Sequence, residues 1–348
     1  MGIKDQLIGS DNPSVAYKAR LLLGGESPDS AAMRSLREKI RSSVNARRLL
    51  SHRQDDGTIH ANPYQKWQGP HWTLYSLSLI AYPPGDESLL PLRDQVCEWL
   101  FAPARLKYPW SLIIPGQEDR PRRCASVEGN AVLYSLALGL ADDRTRLLVD
   151  RLIAFQWPDG GWNCDKRPEA RTSSFVETLI PLRALWRYGR DCKHQEALAA
   201  ADTAAEFLLR RRLLWRIRDG FLIRLKWGGR ITEIHYPIQF YDLLFALQVM
   251  AEIDRIGDNR CGEALDLLLA KRLPDGGFPL EVKNCKTSDV ITTRGSFADW
   301  GPAGAKRSNP FVSVDALRVL ARAGEGDTEP GKGIAERQRP AQPQGLND

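Results

Sequence analysis

Phe155-Gln-Trp-Pro-Asp-Gly-Gly-Trp-Asn-Cys-Asp-Lys-Arg-Pro-Glu-Ala-Arg-Thr-Ser-Ser-Phe-Val-Glu177 carries the plan of the whole chain. A helical pattern ends at the Pro158-Asp159-Gly160-Gly161 turn, and a polar loop of about a dozen residues follows. A helix then restarts behind Ser173-Ser174 at Glu177, which faces an apolar run. The unit recurs. Glycine turns stand at Gly57, Gly160 and Gly276, and apolar helices open at His71, Cys124, Ser173, His235 and Asn309. This is an internal repeat of helix pairs.

Within each pair one helix is apolar on nearly every side, as in Thr73-Leu-Tyr-Ser-Leu-Ser-Leu-Ile80, and the other is amphipathic, as from Glu87 to Phe101. A helix that is apolar all round is a buried helix. The remaining spans run Val15–Leu23, Ser30–His52, Ala131–Leu140, Thr145–Phe155, Glu177–Tyr188, Glu196–Arg212, Gln239–Met250, Asp258–Lys271 and Asn309–Leu320. Six apolar and five amphipathic helices predict an all-α fold, a single (α/α)6 toroid with the apolar helices inside. An open solenoid is the alternative, although its neighbours would not need inner helices apolar on every face. Residues 1–11 read as a leader, 12–324 as the barrel domain, and 325–348, polar and rich in Pro, Gly and Gln, as a disordered tail.

Composition is that of an ordinary globular chain: 348 residues, 43% hydrophobic and 26% charged, enough to bury a large core. The net charge of +6 suits an anionic ligand or membrane surface, and no nucleic-acid-binding motif accompanies it. No signal peptide and no C-x-x-C pair are seen, so Cys97, Cys124, Cys164, Cys192, Cys261 and Cys285 read as reduced thiols of a cytoplasmic protein. No apolar run approaches the ~18 residues of a spanning helix. Contact with a membrane would be peripheral, through Leu208 to Trp227, where Arg210, Arg211, Arg212, Arg216, Arg218, Arg224 and Lys226 alternate with apolar and aromatic residues.

The Gln156-x-x-x-Gly160-x-Trp162 turn behind an amphipathic helix resembles the QW repeat of squalene–hopene cyclases and related class II terpene cyclases. The unit from Gly160 to Leu185 is also similar to the repeat of protein prenyltransferase β subunits. The likeness covers most of residues 12 to 323. It implies an α/α toroid and an isoprenoid or similar apolar substrate. The cyclases' Asp-x-Asp-Asp acid is absent, Asp55-Asp56 being the nearest match, and Glu177 falls where the prenyltransferase-like unit has a zinc-ligating histidine.

In such a barrel the N-termini of the inner helices converge on one mouth, where unpaired N–H groups and positive dipole ends favour anions. Polar residues interrupt the inner helices near their starts: His71, Glu128, Asn130, Glu177, Asp242 and Asp315, with His235 and Asp165 close in sequence. Carboxyls gathered in a partly apolar hollow raise one another's pKa, and one held protonated is a general acid. Each taken alone equally well complements a helix N-terminus. Trp67, Trp72, Trp162, Tyr236, Phe240, Tyr241 and Phe311 would shelter a carbocation or line an isoprenoid pocket, with Arg122-Arg123 and Lys166-Arg167 bordering it for a diphosphate. No cofactor is expected. Magnesium or zinc lacks a recognised ligand spacing, although Cys164-Asp165 could join Cys124 or His235 around zinc. The loop Lys283 to Ser308 is long enough for a lid. The function expected is a terpene-cyclase-like enzyme in which an inner-helix carboxyl initiates cyclisation or isomerisation. The alternatives are a non-catalytic lipid- or protein-binding toroid and a metal-dependent prenyl-transfer-like enzyme. A glycan-active barrel would need paired carboxyls ~5–10 Å apart over an open groove.

Overall fold

A computed structural model describes residues 2–103, 105, 120–223, 230–238 and 241–325. The fold is mostly α, about half of it helical with few strands. In chain order the helices are α1 (Ile3–Ile8), α2 (Pro13–Leu22), α3 (Ala31–Arg41), α4 (Val44–Leu50), α5 (Pro70–Leu79), α6 (Leu90–Phe101), α7 (Ala125–Ala137), α8 (Asp143–Ala154), α9 (Phe175–Asp191), α10 (Gln195–Leu209), α11 (Leu243–Glu252), α12 (Gly262–Leu269) and α13 (Pro310–Arg322). Side-chain caps fix many of the starts, since the first N–H groups of a helix lack partners within it. Asn12, Ser30, Ser43, Asp142, Asp242 and Asn309 each accept a backbone N–H from their own first turn.

Helices α5, α7, α9, α11 and α13 pack one on the next, and α13 packs on α2. Their partners lie alongside: α6 on α5, α8 on α7, α10 on α9, α12 on α11 and α3 on α2. Helices of the first group are buried along most of their length, whereas α3 and α8 bury one stripe. This is the contrast expected of apolar and amphipathic partners.

The glycine-turn repeat has a hydrogen-bonded counterpart. Before α9, the Asp159 carboxylate accepts from Ser173 Oγ at 2.5 Å, Ser174 N donates to the Trp162 carbonyl at 2.8 Å, and Trp162 N donates to Thr178 Oγ1 at 3.3 Å. Before α13, Asp275 accepts from Ser308 Oγ at 2.5 Å, Asn309 N donates to the Phe278 carbonyl at 2.8 Å, and Phe278 N donates to Ser313 Oγ at 2.8 Å. Ser173, Ser174 and Thr178 stand at the same offsets from the start of α9 as Ser308, Asn309 and Ser313 do from the start of α13, and Asp159 and Trp162 stand at the same offsets from their glycine turn as Asp275 and Phe278 do from theirs. A turn of this kind sets the entry angle of α9 and of α13.

Several expectations change. The span Ser30–His52 is two helices, because Ser43 caps a new one instead of continuing the old. The apolar span Ala131–Leu140 is part of a helix over Ala125–Ala137, which opens beside Cys124 and holds Glu128 and Asn130 near its start. Residues Ile3–Ile8 of the expected leader form a helix that packs on α2 and α13 and buries Leu7. The long loop before α13 is pinned: Gln68 bonds Val290 and Thr292 at 2.7 Å each, His52 stacks on Phe297 at 4.2 Å, and Trp300 is buried. It pairs in short parallel bridges, Val282–Lys283 with His235–Tyr236 and Lys286–Thr287 with Gly295–Ser296. A loop with that many anchors is poorly suited to open as a lid. The tail, residues 326–348, lies outside the described residues.

Candidate functional site

Cys124 stands immediately ahead of α7, Cys164 in the loop behind the Gly160-Gly161 turn, and Glu177 in the first turn of α9. The loop is tied to the start of α7, because Arg123 N donates to the Asn163 carbonyl at 3.0 Å, and is closed by Asn163 Nδ2 donating to the Thr172 carbonyl at 2.8 Å. These ties bring the three side chains together. One ligand-capable atom of each, two sulfurs and a carboxylate oxygen, lies within 4.8 Å of the others. Cys164 Sγ donates to Glu177 Oε1 at 3.4 Å, and Ser126 N donates to Glu177 Oε2 at 2.8 Å.

The residues fit a zinc ion. Zn–S and Zn–O bonds of ~2.3 and ~2.1 Å in a tetrahedron put ligand atoms ~3.5–3.8 Å apart, and these three lie within 4.8 Å of one another. Glu177 is 6% exposed while Cys124 is exposed, so the cluster has a buried back and an open front. Three protein ligands with an open side match a catalytic rather than a closed structural site. Burial raises the Glu177 pKa against the pull of the Ser126 N–H and the Cys164 thiol. The Cys164 thiol is pushed far up, first by the neighbouring Cys124 sulfur and then by burial and Glu177. Metal binding would reverse that logic, since a coordinating thiol is deprotonated outright.

Aromatic and cationic groups border the cluster. Tyr64 lies within electrostatic reach of Cys124, Cys164, Glu177 and Arg105. Its ring is 6.1, 5.6 and 6.0 Å from those of His71, Trp72 and Trp99. The Arg105 guanidinium sits 4.1 Å over the Trp99 ring, and its buried Nε has no hydrogen-bond partner among the described residues. A buried donor left open beside a thiol cluster is where an anionic ligand would be welcome.

The carboxyls read as one mouth are separated. Glu128 is the only one near Glu177. It is 1% exposed and clamped by Arg123 at 2.5 Å and Arg151 at 2.8 Å, while burial pushes its pKa up to about 7 against the two neighbouring arginines, Arg123 and Arg105. Both guanidiniums hold its Oε1, Arg151 tying α7 to α8, while its buried Oε2 has no hydrogen-bond partner among the described residues. Asp242 caps α11, accepting from Phe245 N at 2.8 Å and His235 N at 2.9 Å; burial raises its pKa against those bonds. Asp315 faces the other end of the helices in an ion pair with Lys18 at 2.9 Å. Asp165, its side chain 14% exposed, pairs with the exposed Arg167 at 2.6 Å.

His71 is fully buried, its Nδ1 3.3 Å from the Tyr134 hydroxyl, and burial drops its pKa to about 3. His235 Nδ1 meets Asn284 at 3.2 Å, away from the thiols. The aromatic residues form separate clusters: Trp67 and Trp72 with Tyr64, Tyr236 with Trp300 and Phe311, and Tyr241 against Phe175. Trp162 is structural, its Nε1 donating to the Leu152 carbonyl at 2.9 Å. Asn130 is buried in α7, and Phe240 lies outside the described residues. Tyr64, Trp99 and Arg105 carry no periodic or motif signal, so their place beside the thiols is not legible in the sequence.

Comparison with protein-family models, with curated proteins and with solved structures gives no match.

Proposed function

We propose that the chain is an enzyme acting on an apolar, isoprenoid-like substrate with an anionic head, through a zinc ion held by Cys124, Cys164 and Glu177. In this reading α2, α5, α7, α9, α11 and α13 are the inner helices of a single (α/α)6 ring, which is supported by their all lining one cavity. The observation that carries the functional reading is the two thiols and one carboxylate within 4.8 Å of one another, with one side open. Among the expectations from sequence, this favours the metal-dependent prenyl-transfer-like alternative over acid-initiated cyclisation.

Bound zinc would hold the two sulfurs as thiolates and lower the pKa of a thiol or water arriving at its open position. The protein's part is orientation. The Ser126 N–H aims one Glu177 oxygen back into α7, leaving the other toward the thiols. Arg105 offers an unspent N–H to an anionic head, while Tyr64, Trp72 and Trp99 give an apolar flank. The basic, apolar connector after α10 begins on the same turn, Arg210 donating to the Asp159 carbonyl at 3.5 Å. We include in the proposal that this connector rests on an anionic membrane surface and passes substrate to the mouth.

A second reading keeps Glu177 as a protonated general acid, supported by the rise of its pKa through burial and by the Cys164 thiol on its oxygen. Metal analysis of the purified protein separates the two. One zinc per chain, lost in Cys164→Ser and Cys124→Ser, is expected, together with turnover of prenyl diphosphates that falls with the zinc. Turnover that survives chelation but not Glu177→Gln would favour the acid. Tight lipid binding without any turnover would leave a carrier.

A further inference from the structure

The cavity that all six helices line, about 470 Å³, lies among their middle and second halves, away from the thiol cluster at the starts of α7 and α9. Its volume falls in the ~300–1,000 Å³ range of small-molecule sites. Leu21, Leu79, Leu133 and Trp186 form an apolar wall, and Lys18, Arg183, Glu252, Asp315 and Arg318 supply charge. Lys18 pairs with Asp315 at 2.9 Å, and Arg183 holds Glu252 through two bonds of 2.6 and 2.8 Å. Both carboxylates are thereby engaged. Arg318 is left over, its ion-pair contact a 3.7 Å approach to a Glu252 oxygen that Arg183 already holds.

Cations near helix C-termini commonly do no more than offset the dipole. That account fails for these, because Lys18, Arg183 and Arg318 lie inside α2, α9 and α13 and not in their last turns. Glu252 sits at the α11 C-terminus, where a carboxylate is disfavoured. Placing charge on the inner faces of packed helices is costly unless a partner answers it. Close by, the Tyr236 hydroxyl is buried without a hydrogen-bond partner, within electrostatic reach of Asp315, Tyr75 and Arg183.

We infer that this cavity binds a small amphipathic anion, its alkyl or aryl body against the leucines and Trp186 and its carboxylate or phosphate head on Arg318. The guanidinium fork suits either head. The inference is independent of the zinc centre, which lies at the other end of the helices.

Isothermal titration of the full chain with decanoate, decyl phosphate and decyltrimethylammonium tests it. One molecule of decanoate or decyl phosphate should bind per chain, the stronger of the two identifying the head, and the cation should not bind. Arg318→Ala should weaken the anion at least tenfold and Leu133→Trp, which fills the hollow, should abolish binding, whereas Cys164→Ser should bind as wild type does. The inference is overturned by no saturable binding of either anion, by equal binding of the cation, or by unchanged affinity in Arg318→Ala, whose partly exposed side chain can be removed without emptying the core.

Discussion

Gly161 occupies a position with no room for a side chain. A Cβ there would come within 2.3 Å of Thr178 Oγ1 and 2.7 Å of Ser173 Cβ, and both neighbours are already committed to the turn that starts α9. Gly161→Ala is expected to cost about 1–3 kcal/mol, read as a lower denaturation midpoint with unchanged slope. His71 illustrates a different constraint. Its folded pKa of about 3 lies below the ordinary 6.5, so the unfolded chain binds a proton that the folded chain refuses. Stability contributed by the neutral ring is therefore present above pH 6.5 and lost as pH falls toward 3, at about 1.4 kcal/mol per unit. His71→Phe, which cannot titrate, should show a shallower acid limb in urea melts at stepped pH; an unchanged limb would remove His71 as its cause.

Individual elements are held by a few polar clamps. Glu128 holds Arg123, just ahead of α7, and Arg151 of α8, so Glu128→Leu leaves one buried and one partly buried guanidinium without their carboxylate. A loss of about 3–5 kcal/mol is expected, and a loss under about 1 kcal/mol would mean that the pairs are spent on solvent. The connector after α10 is the exposed counterpart. Trp215 and Leu222 pair across a turn, and Ile217 and Phe221 are each 64% exposed beside Arg216 and Arg218. Arg224, Lys226 and Trp227 of the same stretch lie outside the described residues. Co-sedimentation with phosphatidylglycerol-containing vesicles should exceed that with phosphatidylcholine alone, decline as salt rises, and drop at least fivefold in Ile217→Asp/Phe221→Asp. Equal recovery with neutral lipid would argue against this surface.

For the molecule as a whole, the first and last helices matter most. Among the described residues, α1 packs on both α2 and α13, Leu7 is buried, and Lys18 reaches Asp315. Leu7→Ala is accordingly expected to cost about 2–5 kcal/mol in a global transition monitored by circular dichroism, not a local fraying of the N-terminus. A cooperative joint between the ends is what the proposed ring requires. No helix among the described residues is long and apolar enough to cross a membrane, so the membrane contact proposed for the connector is a surface one.

The alternation of apolar and amphipathic helices, the caps at Asn12, Asp142 and Asn309, and the glycine turns with their downstream Ser and Thr partners were all written in the sequence, because helical periodicity and capping are local properties of neighbouring residues. Local pattern also placed Glu177 in the first turn of α9 and Cys164 in the loop ahead of it, and offered Cys124 or His235 as a partner for Cys164. It could not say that Glu177, rather than Asp165 or His235, completes the group, nor that Glu128, Asp242 and Asp315 part company. Those outcomes rest on which way each side chain leaves its helix, and on what claims each carboxylate first: Arg123 and Arg151 for Glu128, backbone N–H groups for Asp242, and Lys18, 297 residues away, for Asp315. Only the packing of the helices decides which charges meet, because an ion pair answers to distance in space and not to spacing along the chain.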